Sequence, residues 1–545
     1  MRRATHVRLA LAGTVSRSRA DALDRQAACG DNPDVLRQAL VVLAGTAVFV
    51  VRPIAAQCPD GTPLPCTRRA APPPNSVAVL FFENLSGDTS DAILADGLTE
   101  EIIVRLRRLE RLQVKPRSAV VRYRGQRLAP DSAARTLMVG HLVTGEVRRV
   151  GTRVRVTAEL VRVQGEQLVW TASYVRPVAD AFDLSAEIAE SVATAVGGRL
   201  LPAERAQVST RATRSDAAYQ HYVAGNTYLT RRSRIGIRRA IEEYQASIAA
   251  DPQFAAAYAR LSLAYTLTAM WNYEFEGLAP AAVVPAARRA AAQAVDLDST
   301  SSESWLAMAM VRSLEDPLHP SGAMAAFERS VTLNPGNAEA LHQWAGRLFE
   351  WRRAEAAATE RRSLAVDPTQ PTTLNNLAWM AAHDGDLAGA LVMIDSAVSV
   401  EPDYPMGLLY RGILRAASAD TVGALADFAA VARRLPEEWV ALAAGGFAAL
   451  LRRDTAGAVS AARDWDAVMA PWYAAGVGNS TYIGPDDLWI AAGRRTEAMD
   501  CWERQPRSAK RYWNMRDAAA RDPALASDPR FQRLLAATTP PSEFR

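Results

Sequence analysis

At 545 residues the chain is long enough for several domains, and 49% hydrophobic against 22% charged residues excludes wholesale disorder. A net charge of +4 is weak over that length and excludes a strongly acidic protein; Lys115 and Lys510 are the only lysines, so the Arg and Ala excess points to codon bias rather than to a selected basic surface. Four cysteines, Cys29, Cys58, Cys66 and Cys501, are too few for a disulfide framework.

Residues 1–57 read as a signal or anchor region. From Gln38 to Val51 the chain is uncharged and mostly aliphatic. At about 1.5 Å per residue it spans roughly 21 Å, short of the ~30 Å hydrocarbon core, which suits a signal-peptide core or short anchor better than a full transmembrane helix. Arg-rich sequence ahead of it and Ala55-Ala56-Gln57 behind it fit export with the amino terminus inside. A start codon set too far upstream accounts for the length before the run. A buried soluble helix is the competing reading, because Arg52 and Pro53 cut the run short. Residues 58–75, with Cys58, Cys66 and Pro72-Pro73-Pro74, form a linker, extended near its end. If exported, Cys58 and Cys66 can close a small disulfide loop; no neighbouring His or second Cys pair favours a metal.

Residues 76–206 read as an α+β domain. Val77 to Phe82 is an apolar run of strand length, followed by a polar turn from Glu83 to Asp88. Leu94, Leu98, Ile102, Leu106 and Leu109 then mark one face of a helix from Asp91 to about Arg108. Val154, Val156, Ala158 and Leu160 alternate with Arg153, Arg155, Thr157 and Glu159, a half-buried strand. Gly151-Thr152 suits a hairpin turn ahead of it, Gly165 begins the next reversal, and Leu168 to Tyr174 forms a third strand. Leu184, Ile188, Val192 and Val196 mark a closing helix from about Asp183. The stretches Ser76 to Asp88 (SVAVLFFENLSGD), Ala95 to Ile102 (ADGLTEEI), Gly145 to Leu160 (GEVRRVGTRVRVTAEL) and Val169 to Tyr174 resemble the TolB-amino-terminal-like domain that precedes tetratricopeptide arrays in bacterial signalling proteins. Phe81 stands where that family usually has Pro. The resemblance implies a sensory or scaffolding half; in the family it is often joined to an adenylate-cyclase, protein-kinase or winged-helix effector, and no such effector is recognised here.

From Asp216 to Pro436 an Ala-rich helical pattern repeats. Pro335, Pro368, Pro402 and Pro436 succeed one another at 33, 34 and 34 residues, and Pro252 and Ser299 complete six unit ends. Leu374, Leu377 and Ala378, then Gly385-Asp386, then Ala390 and Ala397 recur as Leu408, Gly412, Ala424 and Phe428. Small residues at Ala378, Ala390, Gly412 and Ala424 allow two helices to touch, and Pro after the second helix stops it. Period and offsets together resemble the tetratricopeptide repeat, two antiparallel helices and a turn. The second unit is longer by an insert with Trp271, Tyr273 and Phe275, either a lid on the groove or a plug for its own hydrophobic seam, the latter favoured. Residues 437–545 read as degenerate units, with second helices starting near Asp454 and Gly493 and a closing helix from Asp528 to Leu535.

No Walker loop, His-Glu-x-x-His, Gly-x-Ser-x-Gly or Asp-Phe-Gly signature occurs, and the histidines are scattered singly. Neighbouring pairs such as Glu100 with Glu101 and Glu242 with Glu243 read as solvated faces. No catalytic residue, cofactor or metal is expected. The Arg105–Arg127 cluster suits contact with an anionic surface or acidic partner less well than Arg bias, and nucleic acid is an improbable partner. The solenoid groove, by offset from the repeat, is expected to present His342, Asn375, Trp379, Leu409 and Ile413, a neutral, apolar face for a peptide or helix of a protein partner. It lacks the Lys and Arg pattern of carboxylate-clamp arrays, so hydrophobic or backbone recognition is expected instead. The sequence thus predicts an α+β amino-terminal domain followed by an all-α tetratricopeptide solenoid: a non-enzymatic scaffold or sensory module, periplasmic or anchored to the inner membrane through residues 38–51. The alternative is a cytoplasmic regulatory half that controls a separate cyclase, kinase or transcription factor.

Overall fold

The computed structural model describes residues 72–539 apart from 87–88, 110, 122, 126–129, 178–182, 210–212, 231, 369, 403, 437 and 479–480; the apolar stretch 38–51 and Cys58 and Cys66 lie outside it. The amino-terminal domain begins with β1 (Ser76–Val79) and β2 (Glu83–Asn84), then α1 (Thr89–Arg107), β3 (Gln113–Val114), α2 (Arg117–Val121) and α3 (Pro130–Leu137). It continues with β4 (His141–Val150), β5 (Arg153–Arg162), β6 (Gln167–Pro177), α4 (Asp183–Gly197) and α5 (Pro202–Ser209). The sheet order is β3-β1-β4-β5-β6, with β1 parallel to both neighbours and β2 also parallel to β4. β4, β5 and β6 form an antiparallel meander.

The period-two stretch of β5 does what its alternation requires, burying Val154, Val156, Ala158 and Leu160 while Arg153, Arg155 and Glu159 face solvent. Leu98, Ile102 and Leu106 of α1 and Leu184, Ile188 and Val192 of α4 close the core with Val77, Val79 and Leu142. The expected run to Phe82 stops pairing as a strand after Val79, because the Phe82 N–H turns to Thr99 Oγ1 at 3.0 Å. Glu83 and Asn84, expected in a turn, rejoin the sheet beside Glu146 and Val147. Phe81, the departure from the family pattern, carries the guanidiniums of Arg117 and Arg124 at 5.6 and 5.9 Å from its ring.

The solenoid stacks helix pairs: α6 (Asp216–Thr230) with α7 (Arg234–Ala250), α8 (Ala255–Met270) with α9 (Pro280–Leu297), and α10 (Ser302–Glu315) with α11 (Ser321–Leu333). It goes on with α12 (Ala338–Phe349) and α13 (Arg353–Val366), α14 (Pro371–His383) and α15 (Leu387–Val400), and α16 (Pro405–Ala417) and α17 (Thr421–Arg434). A seventh pair, α18 (Trp439–Leu451) and α19 (Thr455–Ala474), is followed by α20 (Pro485–Ala491), α21 (Arg495–Arg504), α22 (Ala509–Arg521), α23 (Pro523–Ala526) and α24 (Pro529–Thr538). Asp386, Asp420 and Asp454 each cap a second helix by accepting from the backbone N–H three residues on, at 2.8, 2.9 and 2.8 Å. Successive caps are 34 residues apart (420−386 and 454−420), so one local device sets the period. Among the described residues no helix is long and apolar enough to cross a membrane.

Both ends of the solenoid are covered. At the first pair, Glu101 accepts from Tyr219 Oη at 2.8 Å, Glu100 accepts from Asn226 Nδ2 at 3.2 Å, and Arg105 pairs with Glu101 and donates to Ser185 and to the Val208 carbonyl. Glu100 and Glu101 are thus buried, not solvated as their adjacency suggested: both reach α6, Glu100 through Asn226 and Glu101 through Tyr219, and each also meets an arginine of its own domain, Arg117 and Arg105. Much of the arginine cluster is spent on partners within the domain as well, with Arg111 on the Gly197 and Gly198 carbonyls, Arg117 on Glu100 and Arg124 on Asp96.

At the other end the chain turns back onto the concave face. Trp472 and Val477 share a core with Leu267 and Met310, the Trp439 indole N–H donates to the Trp271 carbonyl at 2.9 Å, and that of Trp513 to the Glu350 carbonyl at 2.7 Å. The aromatic insert therefore joins pair two to pair seven; its Tyr273 is buried and donates to the Arg232 carbonyl at 3.3 Å.

Candidate ligand cavity in the closed solenoid

Closure leaves a cavity of about 220 Å³ between the first helices of pairs two to six and the returning carboxy-terminal segments. Its floor is aromatic. The Trp379 ring lies parallel to Tyr482, 5.4 Å apart and 12° inclined, and 4.9 Å from Tyr410, while Phe349 meets Tyr482 edge-on at 5.5 Å. The Tyr482 backbone N–H donates to Tyr410 Oη at 3.1 Å, which fixes the segment after α19 across the groove. At the rim the Arg353 guanidinium sits over Phe349 and Trp513, 5.3 and 5.6 Å from the ring centres.

The polar groups fall into two sets. One is paired internally: Arg232 holds both oxygens of Glu339 at 2.8 Å, Gln343 donates to the same carboxylate, Arg347 pairs with one oxygen of Glu350 at 2.9 Å, and His342 Nδ1 meets one oxygen of Glu360 at 2.8 Å. Burial opposes the Glu339 charge, but the Arg232 guanidinium outweighs it and holds the carboxyl down to about 2. Burial lowers the His342 pKa, the Glu360 carboxylate more than reverses this, and burial also raises Glu360, so the pair keeps its proton.

The second set has no hydrogen-bond partner among the described residues: Asn375 Oδ1, His383 Nδ1, Thr372 Oγ1, Arg521 Nε and the second oxygen of Glu350, all on residues that line the cavity. Asn375 is 4% exposed. Burial, reinforced by Arg353 and Arg521, pushes His383 down to about 4, so its ring is neutral at pH 7. Burial likewise pulls Lys510 down to about 8 and, with Asp486, lifts Asp487 to about 7. Nothing in this arrangement pairs a nucleophile with a base, and among the described residues no group of three or more His, Cys, Asp or Glu could hold a metal ion.

Of the residues expected on the groove, His342, Asn375 and Trp379 line the cavity. Leu409 and Ile413 do not: they are 0% and 1% exposed, in the core against which α18 packs, and Met406 and Tyr410 face the cavity in their place. The arithmetic of the repeat explains the shift. Leu409 and Ile413 stand 34 residues after Asn375 and Trp379, but where the solenoid closes it is the neighbouring ridge, Met406 and Tyr410, 34 after Thr372 and Asn376, that turns inward. Sequence reasoning also missed Tyr482, Arg521 and Trp513, which come from the degenerate end where no repeat offset assigns a face.

No family model matches the chain. A curated relative, the putative adenylate cyclase 3 of Rhizobium meliloti (strain 1021), is 29% identical over 259 residues, 46% of this chain; the chain spans 44% of that relative's length. Among solved structures, Pseudomonas aeruginosa PilF is similar at 19% identity over 39% of this chain and 91% of its own, TM-score 0.31. Yeast Tom70 is similar at 13% identity over 66% of this chain and 84% of its own, TM-score 0.34, and the Cut9–Hcn1 assembly at 13%, 66% and 64%, TM-score 0.40. The paired helices, their 34-residue caps and the lined inner face make the solenoid one of tetratricopeptide type, preceded by an α+β domain.

Proposed function

We propose that the chain is a non-enzymatic recognition and sensory module, whose ligand is a short segment of a protein partner held in the closed cavity. The observation that carries this reading is the set of buried, unpartnered polar atoms, led by Asn375 Oδ1, set against the Trp379–Tyr482 stack on the inner face of the repeats. A long helix is disfavoured as occupant, because Tyr482 already covers the aromatic floor on which it would lie. The test is binding of the full chain to a defined array of short synthetic peptides. Binding should be lost in Asn375→Leu with helix content retained; a bound set unchanged in both Asn375→Leu and Trp379→Ala refutes the reading.

The proposed location is the bacterial envelope, with the TolB-like domain and solenoid outside the cytoplasm, supported by the apolar run from Gln38 to Val51 and its flanks. Protease added to spheroplasts should then digest a chain whose mature end lies near Gln57, and non-reducing peptide mapping should show Cys58 joined to Cys66. A protected full-length chain would shift the balance to the second reading, a cytoplasmic regulator of a separate cyclase, which the 29% identity to the Rhizobium meliloti relative favours. In that case cyclic AMP made by a co-expressed cyclase should depend on Trp379.

A further inference from the structure

Arg232 and Arg347 of the inner wall are spent on Glu339 and Glu350, and further cations reach the cavity from the carboxy-terminal cap and the rim. Arg521, the last residue of α22, points its Nε–H into a buried position with no protein partner. Beside the same wall lie His383, whose Nδ1 is likewise unpartnered, and Arg353, held by cation–π contact over Phe349 and Trp513. The His383 ring itself rests against Phe349 and Trp379 at 5.5 and 5.6 Å, so it marks the place where the polar wall meets the aromatic floor. Neither Arg521 nor Arg353 forms an ion pair within 4 Å among the described residues. Asp487 and Asp517 face Arg521, and Asp517 faces Arg353 as well; burial lifts both carboxyls, Asp487 to about 7, so Asp487 brings less than full charge at neutral pH.

We propose that this corner binds a carboxylate: one anionic, planar group between Arg521, Arg353 and His383, with an aromatic or apolar body on the Trp379–Tyr482 floor. The proposal rests on the cavity being the recognition site and names the chemistry that the site selects. A guanidinium fork matches a carboxylate in shape and charge, and two such groups beside a neutral imidazole suit a single negative charge better than a phosphate dianion. The proposal departs from the expectation of hydrophobic or backbone recognition, because Arg521 belongs to the cap and not to a repeat position.

The carboxylate has two sources, a peptide's own carboxy terminus or a free aromatic acid, and matched probes separate them. The full chain is titrated with acetyl-Ala-Ala-Phe and its carboxy-terminal amide, with phenylacetate and phenylacetamide, and with inorganic phosphate, following the fluorescence of the wall tryptophans and the heat of binding. At least one acid should bind about tenfold more tightly than its amide, phosphate should bind more weakly than that acid, and Arg521→Gln should bring the acid-to-amide ratio to about one. Because Arg521 is half-buried, the exposed Arg353→Gln provides a second variant, expected to lower the ratio at least threefold with unchanged melting. Preference for the peptide acid assigns a chain terminus; preference for phenylacetate assigns a small molecule. An acid that binds no better than its amide, or a ratio that survives both variants, overturns the carboxylate assignment while leaving the cavity as the recognition site. No binding by any acid or amide probe at millimolar concentration overturns both.

Discussion

Gly412 gives the sharpest test of how the sixth helix pair holds the cavity wall. A Cβ built there would sit 2.5 Å from Phe428 Cε1 and 2.8 Å from Cδ1, and Phe428 is 1% exposed, so its ring cannot swing away. Gly445, on the exposed side of α18, is the control, since a Cβ there meets no heavy atom within 4 Å. Alanine at either position gains about 1 kcal/mol of helix propensity over glycine. At Gly412 the overlap costs roughly 1–3 kcal/mol, as overpacked cores do. Gly445→Ala should therefore stabilise by about 1 kcal/mol, and Gly412→Ala should range from neutral to about 2 kcal/mol destabilising. The assay is urea unfolding of the two variants side by side, with amide exchange to place the effect. Repeat arrays open pair by pair, so faster exchange should appear in α16 and α17 first. Tyr410 lies on α16 two positions before Gly412 and accepts the Tyr482 N–H, so separation of α16 from α17 should also loosen the segment across the cavity. Equal stabilisation by the two alanines would refute the close helix contact.

Trp379→Ala should lower stability by about 3 kcal/mol, since it removes a ring 2% exposed and stacked on Tyr482, while far-ultraviolet circular dichroism stays native; an unchanged melting temperature would contradict that packing. Glu339, held down to about 2 by Arg232, contributes stability that is complete above pH 4.5 and fades as pH falls toward 2, on the order of 3 kcal/mol. Glu339→Gln should remove that slope, so an identical acid limb in the variant would show the pair to be idle. His383, lowered to about 4 by burial and then by Arg353 and Arg521, contributes stability present above pH 6.5 and lost as pH falls through the interval from 6.5 to 4. His383→Gln should flatten the stability curve over that interval, and nuclear magnetic resonance should find the ring neutral at pH 6; a ring protonated there would mean that the cavity is wetter than its geometry implies.

Repeat architecture was legible because its causes are local. Asp caps, helix-stopping prolines and small residues at Gly412 and Ala424 act within a few residues of where they stand, so a fixed spacing transmits them directly into helix pairs. The meander was legible for the same reason, since the alternation in β5 needs only one buried face. The short elements β3, α2 and α3 left no such trace: they lie in an arginine-rich stretch whose charges are consumed by Glu100, Asp96 and the α4 carboxy terminus, partners distant in sequence. The cavity was half legible. Asn375 and Trp379 follow from repeat offset, whereas Leu409 and Ile413 obey the same offset and are covered by the next pair, a consequence of where the superhelix closes.

One element belongs to both ends of the molecule. The Gly336 carbonyl, just ahead of the Asn337 cap of α12, accepts from Arg107 of the α+β domain; further along, α12 places His342 and Gln343 on the cavity, and its last residue, Phe349, meets Tyr482 edge-on and His383 at a tilt. A helix is stiff along its axis, so a shift of α12 produced by an occupant beside His342 must be absorbed either at Arg107 or in the Phe349 cluster. The Arg107 side is the more constrained of the two, because the same helix α1 carries Glu101, bound to Tyr219 of the first repeat pair, and Arg105, bound to Glu101 and to the Val208 carbonyl of α5. The Phe349 side is held by ring contacts, by the Tyr482 N–H on Tyr410 and by the Trp513 indole N–H on the Glu350 carbonyl, and a ligand on the aromatic floor would itself disturb the ring contacts. If the cavity binds the proposed ligand, adjustment to the occupant is expected in the carboxy-terminal closure, and amide exchange that changes on binding in α1 but not in the segment around Tyr482 would refute this.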